Sequence, residues 1–171
     1  MPEATKAVRE HRENAPKDLR VAVITVSDTK EEGTDESGRI LRSGIEAAGH
    51  RVAHYTLVRD ETPEILRALE TAIRMGTDAV ITNGGTGVAT RDVTVEAIAP
   101  LFDKTLDGFG GLFRLLSFRK VGSPAMLSRA VAGVYRGVAV FCLPGSPDAV
   151  RLAWDELIEP ELPHLVGLLR R

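Results

Sequence analysis

Short apolar runs rich in β-branched residues alternate along this chain with segments of helical periodicity. The most continuous of these runs, such as Val21–Val26, are typical of strands covered on both faces of a sheet. Predicted strands cover residues 21–26, 51–58, 78–82 and 138–143, and helical spacing covers residues 40–48, 62–73 and 148–158. This alternation predicts one α/β domain over residues 19–171 with a mostly parallel sheet, after a polar tail at residues 1–18.

Composition and charge exclude several classes of function. The 171 residues are 43% hydrophobic and 27% charged, as in globular domains rather than disordered chains. A net charge of −2 gives no overall field for holding nucleic acid or an anionic membrane. No apolar run approaches the roughly 20 residues that cross a bilayer, and the lone Cys142 cannot form an internal disulfide. We therefore expect a cytoplasmic protein in which any anion site is local.

A glycine-rich segment, Asn83-Gly84-Gly85-Thr86-Gly87, follows the third predicted strand. Glycines there permit positive φ and allow backbone N–H groups to approach an anion closely. The segment is not a P-loop, because the lysine of that motif is absent. The third glycine of a dinucleotide-binding fingerprint is also absent, and this disfavours a dinucleotide-dependent oxidoreductase. The segment is therefore either a phosphate-binding loop of another kind or a simple tight turn.

Charged residues follow this loop within a few positions. Asp92 suits Mg²⁺, which takes one or two carboxylates and completes its coordination with water and phosphate oxygens. The alternative is that Arg91 and Asp92 form a surface ion pair. Thr94 is expected at the start of a helix, where its side chain can serve as a cap.

Two predicted helices begin with a hydroxyl residue at the N-cap and proline at the first helical position. These are Thr62-Pro63 and Ser146-Pro147. The second pair lies in Leu143–Asp148, where a buried strand, a glycine turn and a helix N-terminus follow each other. Such an arrangement binds anions through backbone N–H groups, although a plain connection between strand and helix uses the same residues.

The stretch from Gly108 to Pro147 contains no Asp or Glu. It carries five cations: Arg114, Arg119, Lys120, Arg129 and Arg136. This imbalance in a slightly acidic protein indicates a local site for an anionic ligand, or alternatively a basic face or a subunit interface. Acidic residues follow the other strands, at Asp28 and Asp60. We favour Asp60 because its strand is expected to neighbour the strand before the glycine-rich segment.

The segments Gly84–Gly87 and Arg91–Ala97 together resemble the molybdenum-cofactor biosynthesis family of MoaB and MogA. Further segments match this family in the same order: Val26–Asp28, Asp35–Gly38, Gly108–Gly110, Phe113–Arg114, Leu116–Ser117, Ser128–Ala130 and Leu143–Pro147. The resemblance covers about residues 20–169, and the MoaB branch is the closer one.

This resemblance implies a three-layer α/β/α sandwich that assembles as a homotrimer or hexamer. It also implies transfer of AMP from Mg-ATP to the phosphate of molybdopterin, with release of pyrophosphate. Asp60 and Asp92 fall where the family has its essential acidic residues, with Asp92 on Mg²⁺. Residues expected to bind substrate or phosphate are Ser27, Asp28, Gly84, Gly85, Thr86, Gly87, Arg91, Thr94, Arg114, Ser117, Ser128, Pro144, Gly145 and Ser146.

Two positions depart from the family pattern. Asn83 stands where the family has Thr, which is a small polar change, and Gly111 stands where it usually has Glu. If that Glu helps to bind pterin or metal, its loss favours a second hypothesis. The chain would then bind molybdopterin or a precursor with little or no transfer activity.

Overall fold

A six-stranded, mostly parallel sheet forms the middle of the fold, and three of its parallel strands are buried along nearly their whole length, as their continuous apolar runs predict. The structure is a computed structural model that describes residues 15–171, so residues 1–14 of the predicted polar tail lie outside the described residues. The strands are β1 Arg20–Val26, β2 Arg51–Val58, β3 Ala79–Asn83, β4 Lys104–Thr105, β5 Val131–Tyr135 and β6 Val138–Leu143. Their spatial order is β2-β1-β3-β6-β5-β4. Strand β5 runs antiparallel to β6, and β4 runs antiparallel to β5.

Helices cover both faces of this sheet and complete three layers. They are α1 Glu36–Ala47, α2 Thr62–Arg74, α3 Thr94–Ile98, α4 Asp107–Val121, α5 Pro147–Ala153 and α6 Glu159–Leu169. Helices α1, α4, α5 and α6 share one core with the sheet, and α2 and α3 share the other. The predicted α/β/α sandwich is therefore confirmed. Among residues 15–171, no helix combines the length and apolar character needed to cross a membrane.

Several boundaries differ from the sequence-based expectation. Thr62 is the first residue of α2 and Glu61 is its N-cap, so Thr62 was wrongly placed as the cap. The helix expected over residues 148–158 ends at Ala153, and a π-helical turn, Trp154–Ile158, then joins it to α6. Helix α4 and strands β4 and β5 occupy a region where no regular elements were predicted. Three glycines in the first five residues of α4 interrupt its helical pattern.

The π-helical turn places the single tryptophan against α1. Trp154 is only 4% exposed, and a Cβ added to Gly44 in α1 would lie 2.6 Å from its Nε1 atom. Gly44 is therefore needed for the close packing of α1 on the C-terminal part of the chain.

Replacing Gly111 by Ala should stabilise α4. Gly111 is exposed inside the helix and an added Cβ meets no atom within 4 Å, so the change gains about 0.5–1 kcal/mol of unfolding free energy. Gly110→Ala is the matched control, because its Cβ would lie 2.8 Å from the Ala130 carbonyl oxygen and should destabilise the fold. Denaturant unfolding of both variants measures the two effects, and an unchanged or lower stability of Gly111→Ala would contradict this account of the helix.

Candidate functional site

The loops that follow β1, β3 and β6 meet at one edge of the sheet, which we call the carboxyl edge. Strand β3 lies between β1 and β6 and is parallel to both. Gly84, with φ +99°, approaches β1 so closely that a Cβ on it would lie 2.1 Å from the Val26 carbonyl oxygen. A Cβ on Gly145 would lie 3.1 Å from the Cα of Gly84. Two predicted site glycines thus bring the three loops into contact.

Both predicted catalytic carboxylates lie against the Gly loop, residues 84–87. A Cβ added to Gly85, with φ +66°, would lie 2.8 Å from Asp60 Oδ1, and one added to Gly87 would lie 2.5 Å from Asp92 Oδ2. Asp60 Oδ1 accepts a hydrogen bond from the Val93 N–H at 3.2 Å. The Gly loop and the two acids therefore form one local group.

The reason given for favouring Asp60 was wrong. Strand β2 is the outermost strand and is separated from β3 by β1. Asp60 reaches the Gly loop because the β2 loop bends across the end of β1, where the Asp60 N–H donates to Asp28 Oδ1 at 3.1 Å. The position of Asp60 thus depends on the loop path rather than on strand adjacency.

Arg91 pairs with Asp28 and not with its neighbour Asp92. Its Nη2 donates to Asp28 Oδ2 at 2.8 Å and its Nε donates to the same oxygen at 3.1 Å. These hydrogen bonds lower the pKa of Asp28 below its ordinary value. The ion pair ties the loop after β1 to the loop after β3, and among residues 15–171 no arginine lies within salt-bridge distance of Asp92.

Thr94 supports the Gly loop instead of capping α3, whose N-cap is Val93. The Thr94 hydroxyl donates to the Gly84 carbonyl at 2.9 Å, and its N–H donates to the Gly85 carbonyl at 3.0 Å. Both Thr94 and Thr86 are buried. The predicted role of Thr94 as a cap is therefore wrong.

Arg129 fixes the second half of the Gly loop. Its Nε donates to the carbonyl oxygens of Thr86 and Gly87, each at 3.1 Å, and its two terminal nitrogens bind Glu96. The pairing lowers the pKa of Glu96. All four carbonyls of the Gly loop therefore accept bonds from Thr94 or Arg129.

The backbone N–H groups of the Gly loop have a different environment from its carbonyls. The Gly84 N–H donates to the Leu143 carbonyl at 3.0 Å. No oxygen of residues 15–171 accepts a hydrogen bond from the N–H groups of Gly85, Thr86 or Gly87. Backbone donors left without a protein acceptor beside a glycine turn are suited to bind an anion.

The ionisation of Asp60 is perturbed by its surroundings. Burial raises its pKa, and the charges of Asp92 and Asp28 raise it further, while the Val93 N–H acts in the opposite direction. The residue is 8% exposed. A nearby cation would offset these effects, because it favours the charged carboxylate.

The donor set fits a magnesium ion held mainly by ligand and water. Within residues 15–171, no three His, Cys, Asp or Glu side chains converge as a metal site. Mg²⁺ needs only one or two carboxylates when phosphate oxygens complete its coordination. Asp92 uses Oδ2 to accept from the Ala89 N–H, and no described residue donates to Asp92 Oδ1 or Asp60 Oδ2. One oxygen of each acid is thus available for a metal.

The cations of the acid-free stretch do not form one site. Arg129 pairs with Glu96, and Arg136 pairs with Glu70 of α2. Arg114 donates to the Ala130 carbonyl at 3.4 Å, close to where β5 begins. Acids from outside the stretch therefore neutralise two of its arginines, and a local anion site within this stretch stays a prediction.

Strand β5 begins beside the end of β6 because it runs antiparallel, and two predicted residues, Arg114 and Ser128, contact Ala130 just before it. Arg114 and Ser117 lie one turn apart on α4, and the Ser128 hydroxyl accepts from the Ala130 N–H at 3.5 Å. Predicted residues of the other loops have structural partners as well. Ser27 accepts from the Lys30 N–H at 3.1 Å, and Ser146 caps α5 by accepting from the Ala149 N–H at 3.3 Å.

The turn after β6 is anchored by residues that were not among the predicted site residues. The Gly145 carbonyl, next to the half-buried Pro144, accepts from the Ser37 hydroxyl at 2.8 Å and from Lys30 Nζ at 3.2 Å. Ser37 lies in the segment Asp35–Gly38, which entered the sequence analysis only as a match to the family. Nothing in the sequence pattern points to Lys30, since its contact spans 115 residues.

Asp35 is a fully buried carboxylate at the N-cap of α1. It accepts hydrogen bonds from the Thr25 hydroxyl at 2.5 Å, from the Tyr55 hydroxyl at 2.8 Å and from the Gly38 N–H at 2.9 Å. Burial and Asp35 together raise the pKa of Tyr55 to about 12. Asn83 donates to the Thr25 hydroxyl at 2.9 Å, so the position that departs from the family pattern joins this network.

Two cavities lie away from the carboxyl edge. One of about 590 Å³ is lined by α1 and β2, and includes Arg39, Arg42 and His54. The other, of about 550 Å³, is a mainly apolar groove between α4 and α6. Neither is lined by the Gly loop, so the candidate site is a set of converging loops rather than either of these cavities.

The family of the protein follows from this fold and these loops. The family described as "Probable molybdopterin binding domain" matches residues 22–164, a range that contains the Gly loop, both acids and the turn after β6. The chain therefore belongs to the molybdopterin-binding domain family that includes MoaB and MogA.

Individual relatives agree with this assignment. Molybdenum cofactor biosynthesis protein B of Bacillus subtilis is 51% identical over 167 residues, which cover 96% of this chain and 98% of the relative. A crystal structure of a Molybdenum cofactor biosynthesis protein B has a TM-score of 0.89 at 46% identity, over 92% of this chain and 99% of that one. The tungsten cofactor synthesizing protein MoaB from Pyrococcus furiosus has a TM-score of 0.84 at 42% identity, over 92% and 100%. These similarities support a role in molybdenum cofactor biosynthesis.

Asp60→Asn should stabilise the fold at neutral pH. The folded-state pKa of Asp60 is raised, so its ionisation penalises the native protein as pH rises through that pKa. We expect the melting temperature of the variant to exceed that of the parent near pH 7. The two melting temperatures should converge below the ordinary Asp pKa of about 3.9, where the carboxyl is protonated in both the folded and the unfolded protein. Thermal unfolding across this range measures the difference, and a pH-independent difference would contradict the assignment.

Proposed function

We propose that this protein transfers AMP from ATP to the phosphate of molybdopterin. The observation that carries the proposal is the Gly loop itself, where three N–H groups without a protein acceptor lie beside the carboxylates of Asp60 and Asp92. Backbone donors suit phosphate oxygens and the carboxylates suit a divalent cation. The site therefore offers both partners that a nucleotide with its metal requires.

The chemistry needs positioning and charge neutralisation more than a protein nucleophile. An oxygen of the molybdopterin phosphate attacks the α-phosphorus of ATP, the bond from this phosphorus to the bridging oxygen breaks, and pyrophosphate leaves with that oxygen. In this proposal the Gly-loop amides bind phosphate oxygens, and Asp92 with Asp60 holds Mg²⁺. Bound Mg²⁺ supplies positive charge that offsets the repulsion between two anionic reactants.

Asp92→Ala should abolish transfer and leave the fold intact, because this half-buried loop residue lies outside both apolar cores. Pyrophosphate release from Mg-ATP that depends on added molybdopterin is the measurement, with an expected loss of about 100-fold or more. Asp148→Ala is the matched control. It removes a fully exposed acid from the start of α5, which lies at the same carboxyl edge of the sheet but outside the pair formed by Asp60 and Asp92. Parent-like turnover of the Asp92 variant would refute the metal assignment.

A second candidate function is binding of molybdopterin or its precursor with weak or no transfer. The substitution of Gly111 for the Glu usual in the family favours this function. Position 111 lies on the exposed side of α4, and a Cβ there meets no atom within 4 Å. The same assay separates the two functions, because tight pterin binding without pyrophosphate release leaves only the second.

We also propose that the chain assembles with copies of itself, as a homotrimer or a hexamer, through the exposed side of α4. Large apolar side chains are 47–78% exposed there and on the following turn, at Leu112, Leu115, Phe118, Val121, Met126 and Leu127. An exposed apolar surface of this kind marks an interaction site. Arg119 and Lys120 flank it, whereas Asp155 and Glu156 line the apolar groove beside α6. This complementarity suits a head-to-tail contact, which closes into a ring.

Phe118→Asp should dissociate the assembly, because it places a charge in the apolar contact. Sedimentation velocity of the parent and the variant at equal concentration is the measurement. Met75→Asp is the control, since Met75 is 42% exposed but lies at the end of α2, on the opposite face of the sheet. A monomeric parent, or a variant with unchanged mass, would count against this interface.

A further inference from the structure

Lys30 is a cation of the carboxyl edge that has no part in the chemistry described so far. Its Nζ donates to the Gly145 carbonyl at 3.2 Å and lies 3.9 Å from Asp35 Oδ1, which is beyond hydrogen-bond distance. An ammonium group has three donors, and residues 15–171 accept from only one of them. Lys30 therefore keeps donors available at a fixed point between the loops after β1 and β6.

Two arginines at this edge are more strongly neutralised than Lys30. Arg91 makes two hydrogen bonds to Asp28, and Arg129 makes two to Glu96. The carboxylate nearest to Lys30 already accepts hydrogen bonds from three other groups. Its negative charge holds the lysine in place by longer-range attraction, and it leaves the ammonium donors free for a ligand.

Lys30 lies near one end of the Gly loop, and Asp92 lies near the other. The Gly84 end adjoins Gly145, whose carbonyl binds Lys30. Gly85 inside the loop adjoins Asp60, and Gly87 at the other end adjoins Asp92. A ligand bound along the loop amides thus meets a cation at one end and metal-binding oxygens at the other.

We propose that Lys30 binds a phosphate group of the ligand at the Gly84 end of the Gly loop. The inference rests on the proposed function, because ATP, pyrophosphate and molybdopterin all carry phosphate oxygens. A compact ammonium charge with free donors recognises such oxygens through charge-assisted hydrogen bonds. Lys30 then binds phosphate in place of the P-loop lysine, which the Gly loop lacks in its own sequence.

Equilibrium binding of inorganic pyrophosphate and of ATP tests this inference without relying on turnover. Calorimetric titration is done at low ionic strength with excess EDTA, so that no metal bridges the anion to Asp92. Lys30→Met should raise both dissociation constants about tenfold or more. The dissociation constants of Lys30→Arg should stay within about threefold of those of the parent. The difference between Lys30→Met and the parent should shrink at about 0.5 M salt, because salt screens the attraction between the charges.

Two control variants separate charge from loop position. Ser37→Ala removes the neutral hydrogen bond to the same Gly145 carbonyl, and Lys104→Met removes an exposed cation from β4 at the far side of the sheet. Both should bind much more tightly than Lys30→Met. Equal weakening in Ser37→Ala, or parent-like binding of both anions by Lys30→Met, overturns the inference.

The outcomes also distinguish this inference from the proposed function. Lys30-dependent binding in a protein that releases no pyrophosphate from Mg-ATP supports the phosphate site and overturns only the transfer reaction. Transfer that proceeds with parent-like constants in Lys30→Met overturns only the role of Lys30. A parent protein that binds neither anion in these metal-free conditions overturns the role of Lys30, and the transfer reaction is then decided separately by the release of pyrophosphate from Mg-ATP.

Discussion

Close contact between glycine backbones is the constraint on which the candidate site depends. Gly84 lies against the Val26 carbonyl, and Gly145 lies against Gly84, so no larger residue fits at either contact without moving a loop. Because β3 is the central strand of the three, its loop can touch both neighbours only if the side chains are absent. Displacement of this loop would separate the Gly-loop amides from Asp60 and Asp92, although the buried strands below would keep their packing.

Hydrogen bonds to carbonyls determine which side of the Gly loop is presented outward. Thr94 and Arg129 bind its carbonyl groups, so its amides are left without protein acceptors. The ends of the loop then differ in charge, with Lys30 near Gly84 and Asp92 beside Gly87. The site thus combines local backbone geometry with a few side chains from distant parts of the chain, and each of these side chains is oriented by a partner of opposite charge or by a backbone group.

Features that depend on local pattern could be predicted from the sequence, and features that depend on distant contacts could not. The buried strands were predictable because burial on both faces demands continuous apolar runs. Helix α4 was not predicted, because its glycines interrupt the helical pattern of apolar residues. The position of Asp60 against the Gly loop was predicted for a wrong reason, namely that β2 would neighbour β3. The order of strands in a sheet does not follow from their spacing along the chain. The position of Lys30 at the site could not be predicted from any sequence pattern, because its partner lies 115 residues away. Asp35 was visible only as part of a segment that matches the family.

The packing of Trp154 on Gly44 gives this chain an internal optical reporter. The indole is the only one in the sequence and is almost completely shielded from water, so we expect it to emit as in an apolar environment. It packs on α1, whose N-cap is Asp35 and whose first turn carries Ser37. A displacement of that helix towards a ligand would open the indole to solvent and shift its emission to longer wavelength, which makes the motion observable without any added label.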